Sequence, residues 1–145
     1  MGRILAIDYG KKRVGIAVTD PLKIIANGLT TVPTPQLMSF LNDYFAKNEV
    51  ELVVVGLPRQ DNNEYSESFK YIKPFVDRLK KVISIPIIYH DERYTSVLAH
   101  RAMIEGGLKK SDRQDKSLVD MVSATIILQS YMSSQAYMEN NMNNI

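Results

Sequence analysis

The chain of 145 residues contains no cysteine and no tryptophan, only two histidines, and a formal net charge of +2. The lack of cysteine excludes disulfide scaffolds, thiolate metal sites and cysteine nucleophiles, and two histidines argue against a histidine-rich zinc site. No apolar run approaches the ~18 residues of a membrane-spanning helix. The apolar run at 4–7 is too short for a signal peptide core. We therefore expect a cytoplasmic protein that does not enter a membrane.

The length and the 45% hydrophobic content predict one domain with an ordinary core. We expect this domain to span residues 1–133, followed by a polar tail over 134–145 that is disordered or frayed. Residues 93–116 carry six basic and three acidic side chains. Such segregation predicts a surface that faces a polyanion, although scattered solvated lysines would explain the composition equally well.

Hydrophobic periodicity predicts strands at 3–8, 14–19, 24–32, 52–55 and 85–90. Helices are expected at about 37–45, 64–81, 95–105 and 115–133, with a kink or break at Pro74 and a basic loop over 108–115. Three closely spaced strands indicate an antiparallel meander. The later alternation of helices and buried strands predicts an α/β fold, a mixed five-stranded sheet with helices on both faces.

Acidic side chains stand at three informative positions. Asp8 ends the first strand, the adjacent Asp91 and Glu92 end the last one, and Asp120 lies on a helix that is apolar almost all round. Each acid also has a structural explanation: Asp8 could shape a turn, Glu92 could pair with a neighbouring base, and Asp120 could pair with Lys116 one turn earlier.

Together the acids point to chemistry, because carboxylates without histidine or cysteine suit Mg²⁺ or Mn²⁺ and phosphate oxygens. Metal ions held in this way orient water, lower its pKa and neutralise a leaving oxygen, which are the needs of phosphodiester hydrolysis. Basic residues near the acids would position a phosphate backbone without reading its sequence. These predicted substrate-binding residues are Lys11, Lys12, Arg13, Arg93 and Lys116.

Four ordered motifs make the chain resemble a known family. They are Asp8-Tyr9-Gly10-Lys11-Lys12-Arg13-Val14-Gly15, Val55-Gly56-Leu57-Pro58, Asp91-Glu92-Arg93-Tyr94-Thr95-Ser96 and Lys116-Ser117-Leu118-Val119-Asp120. They resemble the YqgF/RuvX family of pre-16S rRNA nucleases, which is related in fold to the RuvC Holliday junction resolvases. The resemblance implies an RNase H-like fold. It also implies that Asp8, Glu92 and Asp120 are the catalytic, metal-binding acids, with Asp91 a weaker candidate.

The resemblance implies a nuclease that trims the 5′ end of the 16S rRNA precursor during ribosome biogenesis, with pre-rRNA and ribosomal particles as partners. Two departures from the family pattern, the loop 59–64 without glycine and Ser117 in place of glycine, leave all the acids present. Alternatives are a resolvase acting on branched DNA, a non-catalytic RNA-binding biogenesis factor, and a module like a sugar kinase. The sequence does not distinguish a monomer from a homodimer.

Overall fold

A computed structural model describes residues 2–58, 69–92 and 116–134. In these ranges the strands are β1 (Arg3–Tyr9), β2 (Arg13–Thr19), β3 (Ala26–Pro33), β4 (Val50–Pro58) and β5 (Ile87–Glu92). The helices are α1 (Leu37–Lys47), which follows a short 3₁₀ turn, α2 (Phe69–Val82) and α3 (Lys116–Met132). No helix in the described ranges is long and apolar enough to cross a membrane.

The five strands form one mixed sheet in the order β3-β2-β1-β4-β5. The first three strands are the predicted antiparallel meander, whereas β1, β4 and β5 run parallel. Parallel neighbours need a crossover connection, which is usually helical, and α1 lies between β3 and β4 in the chain. The structure confirms the predicted mixed five-stranded sheet.

Helices α1 and α2 cover one face of the sheet with large apolar side chains. This face, called here the α2 face, is built from alternate strand residues such as Leu5 and Ile7. Tyr9 continues it and stacks on Phe75 of α2, with ring centroids 5.0 Å apart. The buried residues that α1 and α2 contribute are Leu37, Leu41, Ile72, Phe75, Val76 and Leu79.

Helix α3 covers the opposite face, called here the α3 face. Its strand positions are smaller, with Ala6 and Ala17 fully buried beneath the helix. The helix contributes Ala124, Ile127, Leu128 and Tyr131 to this second core. Helices therefore pack on both faces, as predicted, and the alternation of side chains assigns strand residues to one face or the other, except where the register shifts between β1 and β4 and between β2 and β3.

Several details of the prediction are wrong. Strand β4 is longer than the predicted 52–55, and β5 spans Ile87–Glu92 rather than 85–90. Strand β3 begins at Ala26 rather than at residue 24, because the Asp20 carboxylate accepts hydrogen bonds from the Ile24 and Ile25 amides and holds 20–25 as a turn. Helix α2 does not break at Pro74, which lies on its exposed side. The predicted helix at 95–105 and the loop 108–115 lie outside the described residues. So does the tail beyond Ser134.

Candidate active site

Asp8 lies near the carboxyl end of β1, on the α3 face. The register pairs Asp8 with Gly15 of β2. On the α3 face, this pair comes directly after the pair formed by Ala6 and Ala17. Opposed residues of an antiparallel pair project to the same face and have Cα atoms about 4.5–5.5 Å apart. The half-buried Asp8 side chain is thus a direct neighbour of the bare backbone at Gly15.

At Gly15 the backbone of α3 lies directly against the sheet. A Cβ atom added at Gly15 would overlap the backbone carbonyl of Asp120 and would lie 3.1 Å from the amide nitrogen of Met121. Only a residue without a side chain permits this approach. Because Asp8 is opposed to Gly15 and the backbone of Asp120 lies against it, the two acids, 112 positions apart in sequence, are both neighbours of one glycine.

Arg13 forms an ion pair with Asp120. Its Nε donates to Asp120 Oδ2 at 2.8 Å, and the two side chains are 34% and 24% exposed. Arg13 lies two residues before Gly15 on β2 and therefore projects to the same face. Asp120 is partly buried, and the partner observed for it is Arg13 rather than Lys116, its predicted structural partner.

The two acids at the end of β5 differ in their position on the strand. His90 contacts Ser130 of α3, and Tyr89 contacts Phe69 of α2, so successive residues face opposite sides. By the same alternation the exposed Asp91 belongs to the α2 face with Tyr89. The register pairs Glu92 with Pro58. The structure describes the backbone of Glu92 and not its side chain.

His90 is a polar residue of the α3 face that the sequence did not single out. Its Nε2 lies 2.9 Å from Ser130 Oγ, and its ring centroid is 6.0 Å from that of Tyr131. Partial burial lowers the pKa of His90 below its usual value, and the Asp91 carboxylate opposes this shift. The alternation of side chains along β5 could have predicted that His90 faces the last helix. Only the packing of α3 on the sheet identifies Ser130 as its partner.

The structure describes four of the five predicted substrate-binding residues. Among them, Arg13 contacts an acid of the predicted set, Asp120. Lys11 is exposed and places its ammonium 4.4 Å from the ring centroid of Tyr71, on the α2 side. Lys12 and Lys116 are exposed at the hairpin tip and at the start of α3. Arg93 lies outside the described residues.

The donor set at Gly15 fits a hard divalent cation. Asp8 and Asp120 supply carboxylate oxygens, the ligands that Mg²⁺ and Mn²⁺ prefer. Among the described side chains no group of three potential ligands comes together. Glu92 remains the predicted third protein ligand.

Solved structures with the same architecture define the class of fold. A fowlpox virus resolvase in complex with Holliday junction DNA aligns with a TM-score of 0.55 and 14% identity, over 90% of this chain and 96% of its own. RuvC of T. thermophilus, in complex with a Holliday junction substrate, aligns at 0.51 and 16%, over 92% and 97%. The fold is RNase H-like, as the resemblance implied.

Sequence comparison adds the particular family. The model of the family RuvX, described as Holliday junction resolvase, matches residues 2–134, and the chain belongs to this family. A protein of Phocaeicola vulgatus named "Putative pre-16S rRNA nuclease" is 63% identical over 138 residues, which are 94% of this chain and 99% of that protein. A protein of Bacteroides thetaiotaomicron with the same name is 61% identical, over 94% and 100%.

Proposed function

We propose that this protein is a divalent-metal-dependent endonuclease that hydrolyses a phosphodiester bond of the 16S rRNA precursor during 5′-end processing. Family membership and the names of the relatives support the reaction and the substrate. The observation that carries the proposal is the meeting of Asp8 and Asp120 at Gly15. A close-packed apolar helix face carries a carboxylate at little cost only where a cation or a hydrogen-bond donor compensates it.

In this proposal Asp8, Glu92 and Asp120 hold Mg²⁺ or Mn²⁺. The bound ions supply an oriented, acidified water and neutralise charge on the leaving oxygen. Asp8 and Asp120 present oxygens from a rigid strand and a rigid helix, which fixes their positions before substrate arrives. Preorganised charges of this kind stabilise a transition state without further rearrangement.

Arg13 has two roles in this proposal. Its Nε bond holds Asp120 Oδ2 in one orientation, and its remaining guanidinium N–H groups can donate to a phosphate oxygen. Lys11, Lys12, Arg93 and Lys116 are proposed to contact the nucleic acid backbone farther from the reacting bond. Cleavage would take place in the cytoplasm, on free pre-rRNA or on ribosomal particles.

The test compares Asp8→Asn and Asp120→Asn with Asp43→Asn, an exposed acid on α1. Labelled pre-16S rRNA fragments are incubated with Mg²⁺, Mn²⁺ or a chelator. We expect each site variant to cleave at least about 100-fold more slowly, which is about 3 kcal/mol of lost transition-state stabilisation. Asp43→Asn should cleave like the wild type. Equal cleavage by all three variants would reject this site.

The family description favours a second candidate, resolution of branched DNA. Four-way DNA junctions are therefore assayed beside the RNA with the same variants. Faster Asp8-dependent cleavage of the junction than of the pre-rRNA would favour the resolvase. Metal-independent RNA affinity without cleavage of either substrate would favour a non-catalytic biogenesis factor.

A further inference from the structure

The turn between β1 and β2, called here the hairpin tip, lies close to Asp8, at the boundary between the α2 face and the α3 face of the sheet. Thr34, just after β3, anchors this tip: its Oγ1 donates to the carbonyl of Gly10 at 2.7 Å, and its amide donates to the carbonyl of Lys12 at 3.0 Å. From the anchored tip Arg13 extends to the α3 face and Lys11 to the α2 face. The hydrogen-bonded hairpin tip thus carries one cationic side chain toward each face of the sheet.

Two ammonium groups converge on the ring of Tyr71 at the start of α2. Lys11 Nζ lies 4.4 Å and Lys70 Nζ lies 5.6 Å from the ring centroid, so the two like charges are at most about 10 Å apart. The negative face of an aromatic ring attracts cations. Tyr71 is nevertheless 38% exposed, and a large aromatic side chain is left in contact with water beside two positive charges.

The charge of α2 extends this positive region. Its residues include five basic side chains and one acidic side chain, Asp77, and Lys73 pairs with that acid at 2.7 Å. The buried stripe of the helix consists of apolar residues, so its charges lie on the outer side. The outer surface of α2 therefore carries a positive excess that begins at Lys70 and Tyr71.

We propose that Tyr71, with the ammonium groups of Lys11 and Lys70, is a binding subsite for a single-stranded stretch of RNA that leads away from the acids at Gly15. Aromatic rings that accept stacked bases, combined with cations that follow the backbone, are the general means of binding single strands. Bases in a duplex are not accessible for such stacking. This inference rests on the proposed function for the placement of the cleaved bond.

The acids at Gly15 and the subsite at Tyr71 are close enough to be spanned by one continuous RNA strand. Asp8 and Lys11 are three residues apart, so their Cα atoms lie within about 11 Å of each other. A strand that leaves the pocket across the tip would pass Lys12 before it reaches Tyr71. The subsite therefore selects substrates in which the segment on one side of the cleaved bond is unpaired.

The test measures binding rather than cleavage, so that it does not depend on the nuclease activity. Two labelled RNAs share the same duplex, and one of them carries a single-stranded extension. Their affinities are measured by fluorescence anisotropy with Asp8→Asn protein, into which Tyr71→Leu, Tyr71→Phe, Lys70→Gln or Lys81→Gln is introduced. Thermal denaturation checks that each variant is folded.

We expect Tyr71→Leu to weaken binding of the extended RNA about ten-fold, which is in the range of one lost stacking interaction. Binding of the blunt RNA should not change, and Tyr71→Phe, which keeps the ring, should bind like the parent. Lys70→Gln should reduce the slope of log affinity against log salt by about 0.7 for the extended RNA. Lys81→Gln, at the far end of α2, should bind the extended RNA like the parent.

Equal affinity of the parent for the two RNAs, or an equal effect of Tyr71→Leu on both, would overturn the subsite. So would a loss in Tyr71→Phe as large as that in Tyr71→Leu, since the ring would then be irrelevant. Failure of the wild type to cleave RNA would reject the proposed function, whereas the anisotropy result would still decide the subsite.

Discussion

The two faces of the sheet are packed by different means. On the α2 face, leucine, isoleucine and phenylalanine side chains fill a broad space between the strands and two helices. On the α3 face, alanine and glycine positions let one helix approach until its backbone touches β2. The first face buries more apolar surface, which drives folding. The second has smaller side chains, and this allows the backbone of Asp120 to lie against Gly15, the strand partner of Asp8.

This difference indicates that the two faces have different roles, one in stability and the other in activity. Burial of apolar surface is non-directional, whereas the backbone contact at Gly15 leaves no room even for a methyl group. Stability should therefore depend mainly on the α2 face, and activity mainly on the α3 face. Four substitutions test this division, beginning with the one expected to have the largest effect on stability.

Phe75→Ala should lower the unfolding free energy by about 3–5 kcal/mol, because it removes a fully buried ring that stacks on Tyr9 and leaves a cavity in its place. The matched change on the other face is Ala124→Gly in α3, for which about 1 kcal/mol is expected from helix propensity alone. Urea denaturation of both variants measures the two costs. Equal costs would show that the two faces contribute alike to stability.

Gly15→Ala should lower the unfolding free energy by about 1–3 kcal/mol, the usual range for overpacking. It should also reduce the cleavage rate by more than this loss of stability explains. The added methyl group must push the backbone of α3 away at Asp120. Gly28→Ala is the control, since its Cβ would meet the flexible Met121 side chain, with Cγ at 2.7 Å. Cleavage rates and urea midpoints are measured together, and similar activity of the two variants would contradict a special role for Gly15.

Arg13→Gln should change the unfolding free energy by less than about 1 kcal/mol, since its ion pair with Asp120 is partly exposed. Cleavage should nevertheless fall about ten-fold, because Asp120 loses its orienting partner and the phosphate loses a charged donor. Lys23→Gln breaks the pair with Glu51, at 2.5 Å, at the opposite end of the α3 face. An equal loss of activity in Lys23→Gln would show that the effect of Arg13 is not local.

Asp20→Asn should show the smallest effect, and that effect should depend on pH. Hydrogen bonds from the Ile25 amide, and then from the Ile24 and Leu22 amides, lower the pKa of Asp20 below its usual value of 3.8. The ionised carboxylate therefore adds stability that is fully present above about pH 4 and is lost as the pH falls through the lower folded-state pKa. Urea midpoints of both proteins between pH 6 and pH 3 should converge at the acid end, and a constant difference would contradict this assignment.

Much of the fold could be predicted from periodicity alone. Runs such as 52–55 and the meander at 3–32 identified the strands and their mixed pairing, because burial imposes a period of two on strands and 3.6 on helices. The start of β3 was missed because the Asp20 turn depends on side-chain hydrogen bonds to the backbone, and apolar residues at 24 and 25 concealed it. Continuation of α2 through Pro74 depended on the packing of its buried stripe, which overrides local preference.

By itself the sequence determined the candidates for chemistry, namely the acids at 8, 92 and 120 and the arginine at 13, and the periodicity that predicts the face of most strand residues. Only the tertiary structure decided that Gly15 brings Asp8 and Asp120 together, that Arg13 and not Lys116 pairs with Asp120, and that Lys11 turns away to Tyr71. The physical reason is that periodicity specifies the face of a local element, whereas contacts between distant residues depend on strand register and on how closely a helix approaches the sheet.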